Sequence, residues 1–407
     1  MKTVTPARRA ILLDDPPEAF AGWERALGMD SAAVVDEIER SGLRGRGGAG
    51  FPTGTKLRLT AEAEGSGKCV VVNGAEDEPG SGKDQFLLTE LPELVIEGAM
   101  IAAHAVQARE IVFYLSELHP DSTAALRRAA ERTPQLGEAR FDVTFVSSPA
   151  TYVAGEDTAA LEVIEGREPL PREKPPYPVN AGLRGVPTAV VNAETAAAIA
   201  RILVHGGEWY RSLGTPESPG TMLFTLGPEM SSPGIHELGL GTPLRHLVEE
   251  VGGGLRSGEP VRMVLPGGPS SGFLTPDQLD VPLTYERLRE AGSALGCGVL
   301  RVFGESACVV EVLAELMTFF QHECCGQCPP CRMETGLLAR LVGQIKAGGG
   351  NPQLVEKLPE VLDFAQAQGG KCSFIGMPGP PVRSALALFP DDFASHIETG
   401  TCRPGLS

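Results

Sequence analysis

The sequence predicts a multidomain chain of mixed α/β and α+β class that ends in helices, and three observations carry that expectation. Its 407 residues allow two or three domains at roughly 150 residues each. Between residues 69 and 147, β-rich and helix-periodic stretches alternate, the order that builds a parallel sheet with helical crossovers. Beyond Ser306 the pattern is helical throughout.

Taken in order, Asp30 or Ser31 can cap a short helix with Val34, Val35 and Ile38 on one face and Gly42 at its end. A glycine-rich loop covers residues 42–50. A strand over 69–73 leads into an acidic loop that reaches Asp84. Residues 91–108 read as a helix, 111–115 as a strand, 121–131 as a helix and 143–147 as a strand. A proline-rich segment, 169–187, should interrupt all regular structure before an alanine-rich helix over 193–204. A loop of that length inside a compact domain usually serves function. From Gly220 the texture changes to short strands at 221–226, 261–265 and 299–303, with a helix led by Pro243 and running to Val251, which predicts a small α+β domain. Val309, Val312, Leu313, Leu316, Met317 and Phe320 then recur at helical spacing as a core-facing stripe.

The balance of 42% hydrophobic and 21% charged residues is that of an ordinary globular protein, and the net charge of −17 would repel a nucleic-acid backbone. Nucleic acid is therefore not an expected partner. The opening residues, Met1 to Val4, do not lead into a signal-peptide core. The longest apolar stretch, 91–115, is broken by Glu93, Glu97, His104 and Arg109. The expected location is cytoplasmic, at the inner face of a membrane complex at most, without direct membrane insertion.

Nine cysteines, several crowded between residues 324 and 331, do not resemble a secreted disulfide framework. Cys325, Cys328 and Cys331 recur at intervals of three, and Cys372 lies well downstream. Three close ligands and one remote ligand suit a 4Fe-4S cluster, whereas structural zinc more often uses two separated C-x-x-C pairs. Cys324 should point elsewhere. Cys69, Cys297, Cys308 and Cys402 read as small buried or incidental residues.

The loop containing Gly45, Arg46, Gly47, Gly48, Phe51 and Lys56 offers close backbone approach and two cations to an anion. It follows a helix rather than a strand, which sets it apart from the usual dinucleotide fingerprint. Asn73 closes a strand, where ligands of open α/β sheets bind, and Glu76, Asp77 and Glu78 follow directly. Glu156 and Asp157 stand at a helix start, where the macrodipole favours negative charge.

In this order the motifs resemble the family of NADH-oxidising flavoprotein subunits found in complex I, NAD-linked formate dehydrogenases and NAD-reducing hydrogenases. The matching stretches are GRGGAGFPTGTK at 45–56, NGAEDEPGSGKD at 73–84, TYVAGEDTAALEVIEG at 151–166, REKPPYPVNAGLRGVPT at 172–188, NAET at 192–195 and HECCGQCPPCR at 322–332. The resemblance implies an FMN-binding α/β domain over 1–215, a β-grasp domain of the SLBB kind over 216–304 and a helical 4Fe-4S domain over 305–407. It implies FMN held by the glycine loop and Lys56 together with Asn73, Glu76, Tyr152, Glu156, Asp157, Asn192 and Thr195. NAD(H) would face Phe51, Glu78, Lys174 and Tyr177, with Glu78 as a positioning group and no side chain acting as acid or base. Partners implied are a thioredoxin-like 2Fe-2S subunit and a larger iron-sulfur subunit.

The sequence departs from that family at Ala75, where an aspartate is usual, at Leu57 and Leu59 in place of aromatic residues, and at Val191 in place of an asparagine. These departures are expected to thin the flavin pocket and remove a stacking surface. They leave open a divergent paralogue with another electron donor, or a cluster-bearing scaffold subunit that does not oxidise NADH.

Overall fold

A computed structural model describes residues 11–13, 19–65, 67–139, 141–348 and 351–402, so Met1 to Val4 lie outside the described residues. The chain forms two compact units, Met1–Thr225 with Gly234–Thr242, and Leu226–Pro233 with Pro243–Ser407.

The first unit is built on four parallel strands, β1 (Cys69–Gly74), β2 (Glu110–Ser116), β3 (Asp142–Ser148) and β4 (Thr188–Asn192), in the order β3-β2-β1-β4. Parallel strands need cover on both faces, and they have it. Val70, Val72, Ile111 and Phe113 join one buried cluster, while Val71, Val112 and Tyr114 join another with Leu161 and Val190. β4 was not expected, because the prolines before it mask a strand of only five residues. The proline-rich segment does not interrupt all regular structure either, since it also carries the short helix Pro178–Ala181. The register sets Asn73 beside Asn192 at the carboxyl ends of β1 and β4.

Helix Ser31–Ser41 starts where Asp30 accepts a bond from Ala33 N at 2.7 Å and stops at Gly42, whose φ of 69° suits glycine. Helices Pro92–Val106 and Ala193–His205 approach so closely that a Cβ on Gly98 would lie 1.7 Å from the Ala196 carbonyl oxygen. β5 (Thr221–Leu226) and β6 (Gly234–Gly239) are neighbours in a second sheet. Buried Glu237 of β6 accepts bonds from the backbone N–H groups of Ile11 (2.7 Å), Leu12 (2.9 Å) and Leu13 (3.0 Å), and from the Thr221 hydroxyl. Arg201 Nε donates to the Ile11 carbonyl at 2.5 Å.

In the second unit, β7 (Val261–Leu265) and β8 (Val299–Gly304) pair antiparallel. The helix expected from Pro243 to Val251 is present from residue 244, and its body, His246–Val251, winds as a π-helix. Helices Val309–Glu323, Pro329–Lys346, Gln353–Gln368, Gly379–Leu388 and Pro390–Thr399 follow, and the stripe from Val309 to Phe320 is buried as its periodicity predicts. Among the described residues, no helix is long and apolar enough to cross a membrane.

Candidate functional site

The glycine loop is closed at its base by paired backbone bonds, Gly45 N to Phe51 O and Thr53 N to Leu43 O, both 2.8 Å. Gly48 and Gly50 take φ of 103° and 62°, which other residues rarely adopt. The loop then feeds the N-terminus of helix Thr53–Glu62, whose Gly54 could not carry a Cβ without meeting the Glu39 backbone at 2.4 Å. Gly47 faces Asn192, whose Cβ would lie 3.4 Å from a Cβ at that position, an ordinary contact distance.

Arg46 has a structural task. Its buried guanidinium donates to the carbonyl oxygens of Thr221 (2.8 Å) and Arg44 (2.8 Å) and to the Tyr210 hydroxyl (3.0 Å), while its backbone N–H donates to Thr195 Oγ1 at 2.9 Å. The side chain therefore braces the loop from behind. Thr195, buried on helix Ala193–His205, pins the loop backbone from the other side.

Beneath the strand ends lies a buried charge network centred on Lys83, Asp84 and Glu194, which sequence reasoning did not single out. Lys83 Nζ contacts Asp84 at 2.9 Å, Glu194 at 3.0 Å and Asn192 Oδ1 at 3.3 Å, and Arg46 stands 4.0 Å from Glu194. Asn192 also caps its helix through Glu194 N and donates to Asp84 at 2.6 Å. Both Lys83 and Asp84 sit in the motif at 73–84, but nothing in their spacing reveals that they are buried.

Glu76 is bound into this frame. Its carboxylate takes bonds from Ser81, from Asp84 N (3.1 Å) and from Gln85 N (2.8 Å) at the start of helix Lys83–Glu90. Burial and the neighbouring Asp84 charge push its pKa up to about 7, against the pull of Lys83. Asn73 ties β1 to Gly155, donating to that carbonyl at 2.9 Å.

Glu78 differs from Glu76. Burial pushes its carboxyl up to about 7 despite a bond from Tyr152, and its Oε1 is buried without a hydrogen-bond partner. Beside the 152–157 segment, Lys174 bridges Glu156 at 2.6 Å and Asp157 at 2.7 Å, and Glu156 caps helix Asp157–Ile164 through Thr158 N and Ala159 N, both 2.9 Å. Burial and the Asp157 charge raise Glu156. Burial acts on Asp157 too, but hydrogen bonding with Glu156 and the Lys174 charge outweigh it and hold Asp157 low. Lys56 donates to the Val190 carbonyl at 2.8 Å, and burial lowers its pKa although Asp157 opposes that shift. Phe51 and Tyr177 present 47% and 55% of their surface to solvent. Two residues thought to thin a ligand surface do not reach one, since Leu57 and Val191 are buried in the core cluster. Leu59 is exposed.

This arrangement suits a bound flavin nucleotide. It offers a loop whose tip is mostly glycine, a half-buried lysine and a buried carboxyl with an unused acceptor, and orphaned buried polar atoms are uncommon unless they serve something. Glu78 also carries a measurable pH dependence. The folded state holds its proton to about pH 7 while the unfolded chain releases it near the ordinary carboxylate value. Its stabilising share is therefore full at low pH and lost as pH rises through about 7. Thermal midpoints recorded between about pH 5 and about pH 8 should fall less steeply for Glu78→Gln than for the unaltered chain. Equal slopes would show that Glu78 titrates normally.

In the second unit, Gly326 (φ 75°) turns the chain between helices Val309–Glu323 and Pro329–Lys346, and the thiols gather there. Cys324, expected to point away, instead places its Sγ 3.7 Å from Cys331 Sγ, because the glycine turn folds it back over the loop. That contact lowers Cys324 to about 6 and, with burial, raises Cys331, whose thiol is also raised by the Cys372 charge. Lys371 N donates to Cys328 Sγ at 3.5 Å, which brings the remote segment to the loop. Coupled thiols from one loop and one distant strand of chain are a donor set for an iron-sulfur cluster. Glu334, one turn beyond Cys331, has two buried carboxyl oxygens without partners, and burial plus the Cys324 charge raises it to about 8.

Two cysteines read as incidental are not. Cys308 and Cys402 form a disulfide with Cα atoms 5.8 Å apart, across a sequence separation of 94 that no local spacing could reveal.

Fold and site thus define a flavin- and iron-sulfur-dependent electron-transfer oxidoreductase subunit. Residues 38–201 match the family profile described as Nuo51 FMN-binding domain, and residues 311–396 match the NADH-ubiquinone oxidoreductase-F iron-sulfur binding region. The chain is 37% identical to the F subunit of NADH-quinone oxidoreductase from Mycobacterium bovis, over 95% of this chain and 90% of that protein. It is 32% identical to the F subunit of the Escherichia coli K12 NADH-quinone oxidoreductase, over 93% and 88%. An NAD+-reducing NiFe hydrogenase structure superposes with a TM-score of 0.90 at 33% identity, over 98% of this chain and 68% of that one. The chain belongs to the family of NADH-quinone oxidoreductase F subunits. It is an NADH-dehydrogenase-type flavoprotein whose cofactors are FMN and a 4Fe-4S cluster.

Proposed function

We propose that NADH delivers a hydride at the strand-end site of the first unit and that electrons leave through Cys325, Cys328, Cys331 and Cys372 to a partner protein. Bound flavin accepts electrons as a pair and releases them singly, and an iron-sulfur cluster takes them one at a time. The residues supply position. Gly45, Gly47 and Gly48 give the backbone approach that a phosphate needs, with Lys56 as its cation, and Asn73, Asn192 and Thr195 fix the strand ends and loop around it. Tyr152, Glu156, Asp157 and Lys174 form the opposite wall, with Phe51 and Tyr177 exposed for nucleotide contact.

The observation that carries this reading is the buried Oε1 of Glu78, a carboxyl oxygen without a hydrogen-bond partner beside the strand ends. Its role is to orient the nucleotide. The middle segment, 216–304, is read as an SLBB-like β-grasp domain between a flavin domain over 1–215 and a cluster domain over 305–407. The partners proposed are a thioredoxin-like 2Fe-2S subunit and a larger iron-sulfur subunit, met on the cytoplasmic side.

Mixing the FMN-loaded chain anaerobically with about 1 mM NADH, at the upper end of ordinary KM values, should bleach the flavin absorbance within the mixing time. An unbleached flavin would sink NADH as the donor while leaving the cofactor sites untouched.

A further inference from the structure

Outside the thiol loop just described, three ligand atoms converge from three places in the second unit. Cys308 is the N-cap of helix Val309–Glu323, His396 lies on helix Pro390–Thr399, and Cys402 follows the left-handed Gly400 that ends that helix. His396 Nε2 stands 3.0 Å from Cys308 Sγ and 3.1 Å from Cys402 Sγ, and the three ligand atoms all lie within 4.8 Å of one another. A disulfide alone does not require an imidazole nitrogen between its sulfurs, and a bonded sulfur is a weak acceptor. The imidazole is 2% exposed, and its other nitrogen, Nδ1, is buried without a partner.

We propose that Cys308, His396 and Cys402 form a second metal site, separate from the iron-sulfur centre, which takes one zinc ion when both cysteines are reduced. Two thiolates and one imidazole are ligands that zinc accepts, and three protein ligands leave a fourth position for water. The two thiolate charges cancel that of the ion, which limits the cost of holding it in a buried place. With Zn–S near 2.3 Å and Zn–N near 2.0 Å, tetrahedral coordination sets sulfur and nitrogen about 3.5 Å apart. The present N···S distances need only a small outward shift once the S–S bond is open.

The balance is simple. A water-soluble phosphine gives two electrons to the disulfide and leaves as its oxide with the oxygen of one water molecule, yielding two thiols. Zinc then replaces both thiol protons, which pass to solvent. Bound there, the ion ties the C-terminal helix to the cap of the helix that runs directly into the cluster cysteines. The Arg262 side chain already braces this junction, donating to the Ala307 carbonyl and to Asp392.

The test uses the full-length, cluster-loaded chain. Phosphine-reduced protein is incubated with zinc sulfate and desalted, and zinc and iron are measured on the same sample. One zinc per chain is expected beside an unchanged iron content, falling to near none in Cys402→Ser and in His396→Gln. Iron content reports whether each variant has kept its cluster domain. A second arm needs no variant, because unreduced protein with the disulfide intact should take up no zinc. Equal zinc uptake before and after reduction, or by Cys402→Ser and the unaltered chain, overturns the site, as does reduced protein that binds none.

Discussion

Cys328→Ser should strip the protein of nearly all its iron and acid-labile sulfide and abolish electron delivery to a partner, while NADH still reduces the flavin. Cys328 begins helix Pro329–Lys346 and receives the bond from Lys371 N at 3.5 Å, so it is the thiol through which the loop meets the Cys372 segment. A serine oxygen is a harder donor than a thiolate and a poor substitute on iron. Cys324→Ser is the informative control, since five thiols gather where four are needed. It should keep its iron, because the 3.7 Å contact with Cys331 can be replaced without removing any of the four proposed ligands. Iron lost from Cys324→Ser but retained in Cys325→Ser would reassign the first ligand. Flavin reduction by NADH reports that the first unit is intact, and iron retained by Cys324→Ser reports that a serine in the thiol loop leaves the second unit folded.

Lys83→Met should destabilise the first unit by about 3–5 kcal/mol, the usual cost of removing one partner from a buried ion pair. The ammonium is 1% exposed and stands between Asp84 at 2.9 Å and Glu194 at 3.0 Å. Without it, two buried carboxylates face each other with only Arg46, 4.0 Å from Glu194, to offset them. At roughly 2–4 °C per kcal/mol for a unit of this size, the thermal midpoint should drop by about 10 °C. Adding Glu194→Gln to Lys83→Met should recover part of that loss, because it removes one of the stranded charges. A drop below about 1 kcal/mol, as for an exposed pair, would show that water reaches the network.

The parts of this fold legible in the sequence were those set by local rules. The strand at 69–73 and the helix capped by Asp30 announce themselves through β-branched runs, caps and terminal glycines, and the stripe from Val309 to Phe320 through period alone. β4 and β6 were hidden because each lies in proline-rich or turn-rich sequence that local propensity assigns to loops. Site residues divide in the same way. The cysteines clustered at 325–331 and the glycine loop stand out in the sequence by their spacing. The tasks of Arg46, Lys83 and Glu194 could not, because the groups they meet come from distant points in the chain. Cys308, His396 and Cys402 form the extreme case, since nothing within ten residues of Cys308 hints at its neighbours.

Glu237 gives the first unit an order of events during synthesis. Its buried carboxylate is satisfied by backbone N–H groups up to 226 residues earlier in the chain, and the same early segment is held by Arg201. On a ribosome adding roughly 5–20 residues each second, Ile11 to Leu13 wait about 10–45 s before β6 exists to receive them. Through that interval, a nascent chain that already holds all four parallel strands and Arg201 still lacks the carboxylate that satisfies the N–H groups of Ile11 to Leu13. The last piece of the flavin unit to close is therefore one of the first to be made.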